Sequence, residues 1–280
     1  MRKIKKLNIF LLILLVIAIL TFSALDNNLS IAKYEFNSDK VPQGEKVRIV
    51  FIADLHNQSF GNDEDILINM VKVQSPDLIL LGGDFIYAIS KTDMTIKFLK
   101  GIKGVAPIYF VTGNHEYWTK CVEKVKTIIT DCGVKILEDK VVQLNIKNIP
   151  IMVYGLEDPD KKGYQDENYN QPKSLEMLWN MNKDKVAYKI LLAHRPELIE
   201  MYKKYEFNLV LSGHTHGGQV RIPFILNGLY APNQGDFPKY AGGLYRFGQL
   251  NLVVSRGLYI NPKLLRIFNP PEIDVIDIIH

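Results

Sequence analysis

Cysteine is nearly absent: Cys121 and Cys132 are the only two in 280 residues, and they lack CxxC spacing. That rules out a disulfide scaffold and a thiolate-built metal site. If both lie on the helix predicted over 118–131, a rise of 1.5 Å per residue separates them by about 16 Å, too far to bridge. Both are expected to act as small core hydrophobes. A zincin helix is missing as well, because His115 and Glu116 are followed by Tyr117, Trp118 and Thr119 with no second histidine. The HTH block at 214–216 runs on into Gly217, Gly218 and Gln219, not into the HxHxDH of metallo-β-lactamase-like hydrolases. No internal repeat, no low-complexity tract and no basic groove with interleaved aromatics is present, so specific nucleic-acid binding is not expected. The formal charge of +4 comes from one place: Arg2, Lys3, Lys5 and Lys6 account for four of 34 basic residues, leaving 30 against 30 acidic ones in the rest of the chain.

Apolar residues make up 47% of the chain, enough for one sizeable core. Behind the basic cluster, residues 9–25 carry no charge, and IFLLILLVIAIL is apolar on every face. Seventeen such residues sit at the short limit of a membrane span and are slightly long for a signal-peptide core. The expectation is a membrane anchor or signal peptide over 1–25, a juxtamembrane segment with a possible edge strand (IAKYEF) over 26–46, and a catalytic domain over 47–280. With the basic side cytoplasmic, this predicts a single-pass protein of the cell membrane with its catalytic domain outside, or a secreted one if the segment is cleaved.

The body alternates short apolar runs with amphipathic stretches. VRIVFIAD (47–54), DLILLGGD (77–84), APIYFVTGN (106–114), AYKILLAH (187–194) and FNLVLSGH (207–214) read as strands buried on both faces. Strand and helix alternating over the first 130 residues imply parallel pairing with right-handed crossovers. VKILE, VVQLNI, IPIMVYG and the hairpin-like LYRFGQLNLVVS imply a second, more antiparallel sheet. The fold class expected is α/β, two mixed sheets packed face to face with flanking helices.

Metal-capable residues cluster at the ends of these runs: Asp54 and His56 after the first, Asp84 after the second, Asn114 and His115 after the third, His194 after the fourth, His214 and His216 after the fifth. Five of the six histidines fall there, and only His280 does not. Ligands collect at the carboxyl ends of strands in open α/β sheets, so these side chains should converge on one edge. Asp-x-His and His-x-His at a strand end would put paired side chains on one side of an extended backbone. Carboxylate, amide and imidazole donors suit Mn, Fe or Zn. Even seven of these eight donors exceed one ion's needs, so a carboxylate shared by two ions about 3.5–4 Å apart is the economical reading.

The series Asp54-x-His56, Gly83-Asp84, Gly113-Asn114-His115-Glu116, His194 and Gly213-His214-x-His216 resembles the calcineurin-like metallophosphoesterase superfamily across residues 47–220. HTHGGQVRIP, SRGLYINP (255–262) and the closing PPEIDVIDI look like its membrane-associated bacterial branch of YkuE- and YaeI-type phosphodiesterases, which also holds some UDP-2,3-diacylglucosamine pyrophosphatases. The resemblance implies an αββα sandwich and hydrolysis of phosphodiester or pyrophosphate bonds. It assigns Asp54, His56, His216 and Asp84 to one divalent metal, and Asn114, His194, His214 and again Asp84 to the other. A hydroxide between the ions would attack phosphorus in line, and His115 would stabilise the transition state or protonate the leaving alkoxide. Glu116 would orient its neighbours. Arg195 is a candidate phosphate contact with a structural role as the alternative, and Gln219 and Arg221 are lesser candidates. The chain departs from the family pattern where many relatives have GDxxD or GDxxN, since Phe85, Ile86 and Tyr87 follow Asp84. The substrate would be a phosphoester or pyrophosphate, lipid-linked or wall-linked among the options, with 158–172 and 223–240 rimming the site. The remaining alternative is a non-catalytic anchored binding module.

Overall fold

The structure, a computed structural model, describes residues 2–181 and 186–280, with side chains from residue 8 onward. Eight helices are described: α1 (Arg2–Ala24), α2 (Asp65–Val73), α3 (Asp93–Ile102), α4 (Asn114–Trp118), α5 (Val122–Asp131), α6 (Lys161–Tyr164), α7 (Gln171–Met181) and α8 (Ile199–Tyr202). One six-stranded sheet contains β1 (Ser30–Asn37), β2 (Lys46–Ile52), β3 (Leu78–Leu81), β4 (Ile108–Phe110), β5 (Lys135–Ile136) and β14 (Glu272–Ile279), in the order β1-β14-β2-β3-β4-β5. The other contains β6 (Lys140–Ile146), β7 (Ile149–Leu156), β8 (Tyr188–Ala193), β9 (Leu209–Ser212), β12 (Gly243–Phe247) and β13 (Leu250–Val254), in the order β12-β13-β9-β8-β7-β6. A small ribbon pairs β10 (Tyr230–Ala231) with β11 (Gly235–Asp236).

Each central strand is apolar on both faces because each is covered on both. Along β2, Val47, Ile49 and Phe51 point between the sheets, where they meet Ile151, Ile190 and Leu211 from the second sheet. Val50 and Ile52 point the other way, onto Leu67 and Val71 of α2 and Phe98, Leu99 and Ile102 of α3. The outer face of the second sheet packs Met152, Leu191 and Val210 against Leu175 and Leu178 of α7 and Ile199 and Tyr202 of α8. The result is four layers, αββα, as the residue pattern implies.

Several details differ from the expectation. The second sheet is parallel through β13, β9, β8 and β7 and antiparallel only where β12 and β6 close its edges. The helix predicted over 118–131 starts four residues later, as α5, because the chain breaks after α4, where Lys120 takes a left-handed φ of 56°. Cys132 is buried as expected, but Cys121 is exposed at the start of α5 and fills no core position. The membrane expectation also requires correction: among the described residues, no helix is long and apolar enough to cross a membrane. The physical reason is length. The charge-free part of α1, residues 7–24, covers only about 27 Å at 1.5 Å per residue, against a hydrocarbon core of about 30 Å.

Candidate metal centre

The central strands end at the same edge of the sandwich, and just beyond them the backbone turns sharply. Asp54 (φ 56°), His56 (φ 47°), Asp84 (φ 57°), His214 (φ 72°) and His216 (φ 49°) all adopt left-handed conformations. Aspartate and histidine tolerate this region better than most residues, but each such position still costs free energy and persists only where the surroundings impose it. Extended backbone was the expected reason for paired side chains on one side, and that reason is wrong. The left-handed turns do the aiming, and they send His214 and His216 into different groups.

Those groups are Asp54, His56 and His216, then Asp84, His194 and His214, with ligand atoms in each within 4.8 Å of one another. A third, His56, Asp84 and His115, joins them. The joining atom is Asp84 Oδ2, which lies 3.6 Å from His56 Nε2 and 3.2 Å from His194 Nε2. Asp84 Oδ1 is taken up by the backbone N–H of His115 at 2.8 Å, leaving Oδ2 to face both groups. Asn114, buried at the start of α4, presents an Oδ1 with no hydrogen-bond partner. His56 Nδ1 and Nε2 and His216 Nδ1 are likewise buried and unpartnered. Orphaned acceptors at this density are costly unless something positive satisfies them, so the donor set fits a metal centre.

A second layer of contacts holds this arrangement. His194 Nδ1 bonds the carbonyl of Gly82 at 2.7 Å, which turns Nε2 toward Asp84. His214 Nε2 meets Asn233 Oδ1 at 2.7 Å, leaving Nδ1 for the cluster. Arg195 Nη1 donates to the same Asn233 oxygen at 2.8 Å. Arg195 is only 5% exposed, and its Nε and Nη2 donate to Asp158 at 2.7 and 2.9 Å, with Asp160 at 3.0 Å. It therefore touches the cluster through Asn233. Glu116 is fully buried and accepts N–H bonds from Asp84, Phe85, Ile86 and Gly113 at 2.7–3.0 Å, which anchors the turn carrying Asp84. Where the family pattern has a polar residue, Tyr87 is exposed, and Asn57 Oδ1 receives the Tyr87 and Ala88 N–H groups instead, both at 2.9 Å. From the C-terminal loop, Asn269 Nδ2 donates to the His216 carbonyl at 2.8 Å. Asn57, Asn233 and Asn269 were not found from sequence; nothing in spacing distinguishes a supporting asparagine from a turn former. Gln219 turns at φ 61° beside Asn269, and Arg221 donates to Asn227 at 2.5 Å and to the Gly217 carbonyl at 3.5 Å.

Burial lowers the pKa of His56 to about 3 and takes His214 and His216 well below the ordinary imidazole value. These rings keep free lone pairs, the form a metal requires. Burial also lowers His194, but Asp84 and Asp54 outweigh it and push the group up to about 10. Burial and the Asp84 charge raise Asp54 to about 7. Burial opposes ionisation of Asp84 too, yet His194, His115 and His56 hold its carboxyl well below the usual range. Burial lowers His115, against the pull of Asp84 and Asp158.

Residues 47–218 match the model of the calcineurin-like phosphoesterase family. The chain is 31% identical over 276 residues to metallophosphoesterase Cj0846 of Campylobacter jejuni, covering 96% of this chain and 70% of that protein. It is 28% identical over 255 residues to metallophosphoesterase YkuE of Bacillus subtilis, covering 87% and 83%. With phosphodiesterase YaeI of Escherichia coli it shares 28% identity over 245 residues, covering 83% and 82%. Among solved structures, the NAD nucleotidase NadN of Haemophilus influenzae has the same fold, with a TM-score of 0.54 at 14% identity over 78% of this chain and 46% of the other. A family model that takes in every cluster residue from Asp54 to His216 leaves one assignment: this chain is a member of the calcineurin-like phosphoesterase family, a group of phosphoester hydrolases.

Proposed function

We propose that the protein holds two divalent transition-metal ions, Mn, Fe or Zn, and hydrolyses phosphodiester or pyrophosphate bonds. Asp54, His56 and His216 would hold one ion and Asn114, His194 and His214 the other, with Asp84 shared. The observation that carries this reading is the position of Asp84 Oδ2, within 3.6 Å of a nitrogen from each group, among buried donors that lack any other partner. Bound there, two cations supply positive charge to the phosphate oxygens and acidify the attacking water. The chain's own part is to bind and orient. Glu116 fixes the Asp84 turn, Asn233 fixes the His214 ring, and His115, half-buried beside Asp84, hands a proton to the oxygen that leaves phosphorus as the ester bond breaks.

The test is to strip the purified protein with chelator, reload it with each metal, count cations by elemental analysis and assay bis-p-nitrophenyl phosphate. Two cations per chain with turnover supports the proposal. A single cation at saturation removes the shared-carboxylate reading, and two cations without turnover leave a binding module.

A further inference from the structure

We propose that a cleft beside the metal cluster is the subsite for a ring-bearing, anionic portion of the substrate; this rests on the reading above, in which the cluster takes the phosphate. The cleft has a volume of about 410 Å³ and is lined by His56, Tyr87, Lys91 and Tyr259. That size lies within the range of small-ligand sites, about 300–1,000 Å³. His56 belongs to two of the three ligand groups, so the cleft opens directly from the cluster. A moiety esterified to a phosphate held there has this space next to it.

The walls select the chemistry. The Tyr259 ring lies 4.5 Å from the His56 ring at an interplanar angle of 31°, nearly stacked. Tyr87 is 57% exposed, with its ring 5.1 Å from His115 and 6.1 Å from His56. Two aromatic rings thus line the cleft, the exposed Tyr87 at the position where the family pattern has a small polar residue. Exposing such faces beside a polar site suits a flat ring that stacks on them. Gln58, Ser59 and Lys91 share the lining with Ile260 and Pro262, so polar groups stand beside apolar ones, as a ring with polar substituents requires. Among the described residues, the exposed Lys91 ammonium has no side-chain ion pair or hydrogen bond, so its charge is open to a second anionic group on the ligand. A nucleotide carrying a second phosphate has all three features: a phosphate for the cluster, a ring for the tyrosines and an anion for the lysine.

Calorimetry on the full, metal-loaded chain tests this with three probes: inorganic phosphate, thymidine 5′-monophosphate and thymidine 3′,5′-bisphosphate. The monophosphate should bind about tenfold more tightly than phosphate, from stacking, and the bisphosphate about threefold more tightly again, from an exposed charge pair. Tyr259→Leu should cancel the first gain and Lys91→Ala the second. Because Tyr259 packs on His56, its replacement could disturb the cluster; Lys91 is exposed, so its variant does not share that difficulty. Equal affinity for all three probes, or both gains surviving in the variants, overturns the subsite. If bis-p-nitrophenyl phosphate is still hydrolysed in that case, only the subsite falls. If none of the three probes binds, the subsite and the phosphate reading fall together.

Discussion

His115 is set apart from the other cluster histidines by its surroundings. Its backbone N–H is bonded to Asp84, and its ring lies among Tyr87, Trp118 and His56 at centroid distances of 5.1, 4.6 and 4.5 Å. A proton donor matters most when the leaving oxygen is strongly basic. His115→Ala should therefore slow an alkyl phosphodiester by about 10²–10⁴-fold and a p-nitrophenyl ester by much less; equal losses on the two would remove the acid role. A general acid works only while protonated, so kcat/KM on the alkyl ester should fall as pH rises through the His115 pKa. Burial sets that pKa below the ordinary 6.5, so the decline begins on the acid side of 6.5 and disappears in the variant. Asn233 acts at one remove. Asn233→Leu leaves His214 Nε2 without its acceptor and should weaken metal affinity about 10–100-fold, read by chelator competition; unchanged affinity would mean that the ring is held by packing alone.

At the scale of elements, the loop between β13 and β14 supports the first ligand group from beneath. Arg266, fully buried, donates to the carbonyls of Arg256, Gly257, Tyr259 and Asn269 at 2.7–3.3 Å, tying the loop into a fixed shape. Gly257 passes so close to Asp54 that an added Cβ would lie 2.6 Å from its Oδ2, at a φ of 67° that disfavours a side chain in any case. Gly257→Ala should cost about 1–3 kcal/mol of stability from the backbone alone and displace Asp54, so that cation content falls by elemental analysis. A stable variant with full metal content would show that the loop yields. This loop also marks how far sequence reading reached. The five strand-end blocks were legible because a strand buried on both faces is a continuous apolar run, and the residue that ends it is conspicuous. The orienting role that the resemblance implies for Glu116 matches its four N–H bonds around the Asp84 turn. The left-handed turns were not legible, because Asp-x-His in an extended strand and Asp-x-His in a turn look alike when only spacing is counted. Nor was β14: EIDVIDII lies 220 residues beyond β2, and no local signal places it between β1 and β2. Asn233 and Asn269 escaped because their partners are distant in the chain.

For the molecule as a whole, the cluster spans the interface between the two sheets. Asp54, His56, Asp84 and Asn114 follow strands of the first, while His194, His214 and His216 follow strands of the second. Cations held by both sets would cross-link the sandwich at one edge. A cation at a hundred times its Kd adds about 2.7 kcal/mol, so removing both should lower the Tm by roughly 10 °C in a chain of this size. The loss of hydrogen-exchange protection should concentrate at the carboxyl ends of β2, β3, β8 and β9. Proton linkage gives this effect a direction. In the metal-free protein, burial lowers His194, but Asp84 and Asp54 raise it further, from 6.5 to about 10, and burial raises Asp54 from 3.8 to about 7. In both cases the folded state holds its proton more tightly than the unfolded chain does. For His194, the stabilisation is complete below about pH 6.5 and is lost as pH climbs through about 10; for Asp54, it is complete below about pH 4 and is lost through about 7. Metal needs those same atoms without their protons, so cation binding strengthens as pH rises through these values. The gap in Tm between loaded and chelated protein should therefore widen steadily from pH 6 to pH 9, with protons released on loading. A gap that narrows over that range would mean that the cations bind elsewhere than among these carboxylates and imidazoles.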